Sequence, residues 1–396
     1  MSAAAAFAYD PDMAGFVLTA WDAAGGLMPF LGLARRLGER GHDVRLLANP
    51  SIGRRYQSQG WRFRAFRETP DYDATAPKDM STELPANSRN LWFNPAVARD
   101  LGAELAEEPA DAVVVDCMLW AGLSGTVASG TPTAAFFHQP YSAYLARDAM
   151  LVPPLNAARA RMGLAALDSV AELYRQCELC IVAVPREIES EKFDFPPSVR
   201  WVGPILYEPA LAAAPAELPE LDGERFVLIS LGTGYQAQLP VLQRLADAAA
   251  AIARRVVITT GPAVAPSDLR LPPNVSAVAY APHDLLLSRA DLVITHAGLG
   301  TVMASLRHGL PLLCVPLGRD QFANADWVVS RRVGRSVGAD ADVAAIRAAI
   351  KDLLADDAGE RTTARSLAHV FDGNGGADAA VDQLERLVAA ASSVKR

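Results

Sequence analysis

The chain lacks most of what marks a membrane, secreted or nucleic-acid-binding protein. No apolar stretch approaches the roughly 20 residues that a bilayer span takes, so no span is expected. The start, MSAAAAFAYDPDM, carries two aspartates and no basic residue, where a secretory signal has a positive region. Residues 1–14 therefore read as a short disordered lead and not as a signal. A net charge of −8 argues against a nucleic-acid or anionic-membrane partner. Cysteine is scarce, with four in 396 residues. Cys117 and Cys314 sit in strand-like apolar runs, and Cys177 and Cys180 form a lone C-x-x-C. With no second pair and no histidines at ligand spacing, buried thiols are favoured over a redox pair or metal site. No metal is expected, and the compartment is read as reducing and cytoplasmic. A dinucleotide fingerprint is missing too, because its third glycine position is Met303.

What is present is an alternation of short apolar runs and amphipathic stretches, as in a parallel α/β protein of two or three domains. Gly15 to Ala20 reads as a strand, Trp21 to Pro29 as a glycine-rich turn, Phe30 to Gly41 as a helix and Asp43 to Ala48 as the next strand. Arg62 to Phe66 is a third strand. From Arg67 to Pro95 all periodicity is lost, and a loop of that length is functional or mobile. Within it, Asp71-Tyr-Asp73 imitates a metal-binding D-x-D and is read as a solvated loop. Asp111 to Val115 is a buried strand ending at Asp116, and Thr133 to Phe137 is another, ending at His138. Pro204 to Asp222, rich in Pro, Ala and Glu, reads as a linker. Beyond it, strands are expected at Arg225 to Leu231, Val256 to Thr260 and Val275 to Ala279.

The most informative stretch runs from Ala290 to Val328. A strand ends at His296, Gly298 and Gly300 follow, and Thr301 opens a helix closed by Gly309 and Pro311. A second strand, Leu312 to Val315, leads to Gly318, Arg319, Asp320, Gln321 and Asn324. A helix start offers free N–H groups and a positive dipole end. The two glycines let backbone approach a phosphate, and His296 and Thr301 add side-chain donors. Asp320 and Gln321 suit sugar hydroxyls. A Gly-x-Gly alone is more often a tight βα turn; here the whole combination is what points to an anion.

That combination, His-Ala-Gly-Leu-Gly-Thr301, then His308-Gly-Leu-Pro311, then Pro316-Leu-Gly-Arg-Asp-Gln-Phe-Ala-Asn324, resembles the donor signature of GT-B nucleotide-sugar glycosyltransferases. It is most similar to the bacterial branch that decorates macrolides, enediynes and aromatic polyketides. The resemblance implies an α/β GT-B fold: two Rossmann-like, doubly wound parallel-sheet domains with a cleft between them. The expected division is an acceptor domain at 15–204, a linker at 205–222, a donor domain at 223–375 and a last helix at 376–396 crossing back to the first domain. It implies a nucleotide-sugar co-substrate and a small-molecule acceptor, no other cofactor, and a monomer or homodimer. The donor residues carried over are Gly232, Thr233, Tyr280, His283, His296, Gly298, Leu299, Gly300, Thr301, Asp320 and Gln321. Acceptor contacts are expected from Tyr72, Trp92, Phe93, Trp120, Tyr141 and Tyr144.

Two departures from the family pattern carry consequences. Where the family has its usual base, a histidine, this chain has Gly26. The candidates that remain are Asp22, Asp116 and His138, in that order. Turn formation or helix capping is the alternative for Asp22, and a core or capping role for His138. The missing histidine also keeps C-glycosylation open, since an electron-rich aromatic carbon needs less basic help. Where UDP-sugar enzymes of this signature hold the ribose hydroxyls with a glutamate, this chain has Ala304, flanked by Met303 and Ser305. A dTDP-sugar is therefore expected over a UDP-sugar, and transfer is expected to be inverting and metal-independent. A nucleotide-sugar 2-epimerase and a binding-only homologue are the competing readings.

Overall fold

A computed structural model describes residues 13–56, 61–207, 225–372 and 375–394. The first lobe contains β1 (Gly15–Thr19), β2 (Asp43–Ala48), β3 (Arg62–Ala65), β4 (Ala112–Asp116), β5 (Thr133–Phe137), β6 (Leu179–Val182) and β7 (Val199–Trp201), in the order β3-β2-β1-β4-β5-β6-β7. The second contains β8 (Phe226–Ser230), β9 (Val256–Thr259), β10 (Val275–Val278), β11 (Ala290–Thr295), β12 (Leu312–Cys314) and β13 (Gly334–Ser336), in the order β10-β9-β8-β11-β12-β13. Every pairing is parallel. Strands such as AVVVD and FVLIS are buried along their whole length, as helices on both faces of a parallel sheet require. Alternate residues feed opposite faces: Val113 and Val115 pack with Phe137, while Val114 packs with Phe136 in a separate cluster. Strand order reverses between β1 and β4 in one sheet and between β8 and β11 in the other. In open parallel sheets, ligands bind outside the carboxyl ends of the strands at such points.

Some elements depart from the expectation. The first helix is Leu27–Glu39, starting ahead of Phe30 because Pro29 fits within its first turn. The segment 67–95 is not one loop. It holds a helix, Met80–Asn87, a π-helical turn, Ser88–Trp92, and the start of a helix at Pro95. Asp79 caps the first of these by accepting from the Ser81 N–H. Its buried residues are Glu83 and Asn87, so no apolar period announces it. Asp71 and Asp73 are not merely solvated either; they pair with Arg54 at 2.9 Å and Arg55 at 2.6 Å.

The last helix, Gly376–Val394, packs on the first. Ala380, Val381 and Leu384 join the apolar cluster around Phe30 and Leu31. Arg40 reaches Asp382 and Glu385, each at 2.7 Å. All four cysteines are buried and free. No described helix is long and apolar enough to cross a membrane. Most of the expected lead (1–12) and most of the expected linker (208–222) lie outside the described residues.

Candidate active site

On the second lobe the site grows from the ends of β8 and β11, neighbours in the sheet. His296, just past β11, is only 8% exposed. Its ring is wedged between two glycines. A Cβ on Gly232 would lie 2.6 Å from the ring, and one on Gly298 2.5 Å from it. Burial pushes the His296 pKa down to about 4; Arg319 lowers it further and Asp320 opposes both. At neutral pH the ring is an uncharged imidazole with one N–H to donate. Gly298 is the N-cap of the helix Leu299–Arg307 and supplies no side-chain cap. The first N–H groups of that helix therefore await a partner, at its positive end. Gly300 is exposed there, Thr301 half-buried and Leu299 buried.

Three non-glycine residues with left-handed backbone sit in the loops around this point: Ala237 (φ 54°), Ala297 (φ 65°) and Arg319 (φ 60°). Such conformations cost energy and cluster where a loop shape is needed for function. The loops are cross-tied. Asn324 Nδ2 donates to the Ala297 carbonyl at 3.0 Å and to Asp320 Oδ2 at 2.8 Å. Gln321 is 2% exposed, and its amide is already committed. Its Nε2 donates to Gln236 Oε1 at 2.6 Å, and its Oε1 accepts from the N–H groups of Leu317 and Gly318. Gln321 thus shapes the loop rather than presenting a free amide, and Asp320 is left half-buried beside it. His283 is tied back to β8 by a 3.2 Å contact with Ser230 Oγ, and burial lowers its pKa. Tyr280 and Thr233 lie on the neighbouring loops, half-buried and exposed.

On the first lobe the sequence candidates separate. Asp22 is fully buried. Arg55 holds both its oxygens, at 3.0 and 2.9 Å, and the Ala74 N–H donates to Oδ2 at 2.9 Å. A carboxylate so engaged anchors the 71–75 loop. Asp116 and His138 instead meet at the ends of adjacent strands β4 and β5. Asp116 Oδ2 lies 3.2 Å from His138 Nδ1, as an ion-pair contact not aligned as a hydrogen bond. The other Asp116 oxygen accepts from the Met118 N–H at 2.9 Å. Burial disfavours the charged ring of His138, but Asp116 and, across the cleft, Asp320 outweigh it and raise the pKa. Cys117 brings a thiol within 4.8 Å of the pair, and burial, helped by Asp116, pushes that thiol well up.

The aromatic candidates are mostly core. Trp92, Phe93, Trp120, Tyr141 and Tyr144 are all at most 9% exposed. Phe93 stacks on Trp120 at 4.8 Å, and Trp120 donates to the Tyr174 hydroxyl at 2.8 Å. A sequence cannot tell an aromatic that lines a pocket from one that floors it. The indole N–H groups of Trp21 and Trp92 are nonetheless buried without a hydrogen-bond partner, 5.6 Å apart ring to ring. Tyr72 is half-buried and donates to Glu83 at 2.6 Å.

Residues that the sequence pattern did not single out join the two lobes. Glu83, on the helix Met80–Asn87, takes Arg319 of the opposite lobe at 2.6 Å. The Tyr235 N–H donates to the Ala74 carbonyl at 2.9 Å. No local pattern marks these contacts, which pair residues as far apart as 83 and 319.

Comparison with known proteins bears on this geometry. Residues 243–376 match the family model of the erythromycin biosynthesis protein CIII-like C-terminal domain. The 4'-demethylrebeccamycin synthase of Lentzea aerocolonigenes is 28% identical over 336 residues, 73% of this chain and 79% of that protein. The calicheamicin glycosyltransferase CalG4 superposes with a TM-score of 0.74 at 23% identity, covering 95% of this chain and 98% of CalG4. The glycosyltransferase VinC, solved in complex with dTDP, superposes at 0.69 with 18% identity, over 94% of this chain and 99% of VinC. At these identities the two structures establish the fold.

Proposed function

We propose, from the premise that this chain is a glycosyltransferase of the GT-B fold, that it moves a sugar from a dTDP-sugar to an aromatic or polyketide-type acceptor with inversion at the anomeric carbon. The observation that carries the reading is the uncapped start of the helix Leu299–Arg307, set at the β8/β11 switch point with His296 beside it. Its N–H groups and dipole offset the charge that develops on a departing diphosphate, which supports departure without a metal ion. The acceptor enters from the first lobe, over the aromatic floor of Trp92, Phe93 and Trp120, where the unpartnered indole N–H groups of Trp21 and Trp92 suit an acceptor's carbonyl or hydroxyl.

The choice of dTDP follows from what the helix omits. Its sequence, LGTVMASLR, contains no carboxylate. Met303 is buried, and the Ser305 hydroxyl is spent on the Thr301 carbonyl at 2.7 Å. No carboxylate on this helix awaits a second ribose hydroxyl, so a deoxyribose loses no such contact here. A relative of the fold binds dTDP as well. Turnover of dTDP-glucose and UDP-glucose at equal concentration tests the point, with dTDP-glucose expected to be faster. A faster UDP-glucose reaction would sink the donor assignment. Release of free nucleotide with no acceptor present would favour 2-epimerisation over transfer.

A further inference from the structure

Gly26 is a glycine whose own backbone does not require one. Its φ of −69° and ψ of −22° suit any residue. Yet a Cβ there would lie 2.8 Å from both Cδ2 and Nε2 of His138. The imidazole, carried on the end of β5, takes the space next to residue 26 that a side chain would otherwise fill. Its other edge, at Nδ1, faces Asp116 at 3.2 Å. The pair is nearly sealed, with side-chain exposures of 5% and 2%. It still feels Asp320 of the donor loop, so it lies toward the cleft and not in a remote core.

We propose that His138, oriented by Asp116, is the general base of this enzyme, the imidazole having been transposed to β5 from the loop position that Gly26 leaves clear. The proposal rests on the glycosyl-transfer reading given above. The acceptor O–H gives its proton to Nε2 while its oxygen bonds to the anomeric carbon. The bond from that carbon to the diphosphate oxygen breaks, and the electron pair leaves with the diphosphate. Asp116 favours the tautomer that carries hydrogen on Nδ1, which leaves the Nε2 lone pair free, and it stabilises the imidazolium that forms. Asp116 itself is a positioning residue. The other groups around the ring do not compete for this role. Cys117 and the Tyr144 phenol behind it are held protonated by burial, and Asp320 belongs to the opposite lobe.

The test compares an acceptor that needs a base with one that does not. Wild-type enzyme and His138→Gln are assayed with dTDP-glucose and either benzyl alcohol or 4-nitrophenol, the latter above its own pKa and so already ionised. The alcohol reaction should fall by roughly 10²–10⁴-fold, while the phenolate reaction should fall less than about tenfold. Calorimetric dTDP affinity should stay at the wild-type value, which also reports an intact fold. Asp116→Asn should move the acid limb of the pH–rate profile to lower pH, because the ring loses the charge that raises its pKa but stays buried. Should His138→Gln fail to fold, Gly26→Ala substitutes for it. Crowding the ring should cost the alcohol about tenfold more than the phenolate. Equal losses for both acceptors, or none for either, would overturn the proposal, as would a stoichiometric zinc ion bound at Asp116, Cys117 and His138. Wild-type enzyme that binds dTDP but transfers to neither acceptor would overturn the glycosyl-transfer reading itself, and the base assignment with it.

Discussion

At the candidate donor site His296 packs closely against Gly298, and adding one methyl group there gives a measurable consequence. Gly298 has φ −61° and ψ 130°, so alanine is free of backbone strain. The new Cβ would sit 2.5 Å from Nε2 and 2.6 Å from Cε1 of His296, and the three nearest atoms it meets all belong to that ring. Ordinary carbon contacts need about 3.5–4.0 Å, so the ring must retreat by about 1 Å. Gly232 crowds the same two ring atoms, a Cβ there lying 2.6 Å from Cε1 and 2.8 Å from Nε2, so the ring has little room to retreat. Overpacking of this kind costs roughly 1–3 kcal/mol. For a lobe of this size that lowers Tm by about 2–4 °C per kcal/mol. Because the clash is with a single side chain, Gly298→Ala should be nearly silent in a His296→Ala background. Thermal unfolding of the wild type, both single variants and the double variant closes the cycle, with a coupling of about 1–3 kcal/mol expected. Additive effects, within about 0.5 kcal/mol, would mean that ring and glycine are not in contact, and the geometry of the donor mouth would have to be redrawn.

The buried neutral His296 also makes stability depend on pH. Its folded pKa of about 4 lies below the ordinary histidine value near 6.5, so the unfolded chain binds more protons between the two. This contribution is fully present above about pH 6.5 and is lost as pH falls toward 4, by roughly 3 kcal/mol in all. Urea midpoints measured across that window should fall steeply for the wild type and more shallowly for His296→Gln; parallel slopes would refute the assignment. Asp22→Asn leaves Arg55 without its buried anion. It should lower stability by about 2 kcal/mol, with little change in turnover at saturating acceptor. A drop in turnover by roughly two orders of magnitude or more, with unchanged Tm, would return Asp22 to the role of base.

How much was legible beforehand differs between the two lobes. In the donor lobe the relevant residues are close in sequence. His296, Gly298, Thr301, Asp320 and Gln321 lie on two consecutive strand-to-helix turns, and a parallel sheet delivers both turns to one edge. Fold class and the gathering of these turns at one sheet edge could therefore be read locally. In the acceptor lobe the same kind of reading ranked Asp22 first among the bases, on its position in the first glycine-rich turn. That position says nothing of Arg55, which engages both carboxylate oxygens. The helix Met80–Asn87 escaped notice for a related reason. Its inward face is Glu83 and Asn87, with Glu83 held by Tyr72 and by Arg319 of the other lobe, and polar faces leave no hydrophobic period.

The sequence by itself determined the two parallel sheets, the uncapped helix start after Gly298 and the absence of the usual histidine at residue 26, because each follows from residue types at short spacing. Only the tertiary structure decided what stands in the space that absence leaves. Residues 26, 116 and 138 come together through strand order and side-chain volume, and the missing Cβ at one position matters only because an imidazole from another strand stands 2.8 Å from where it would be.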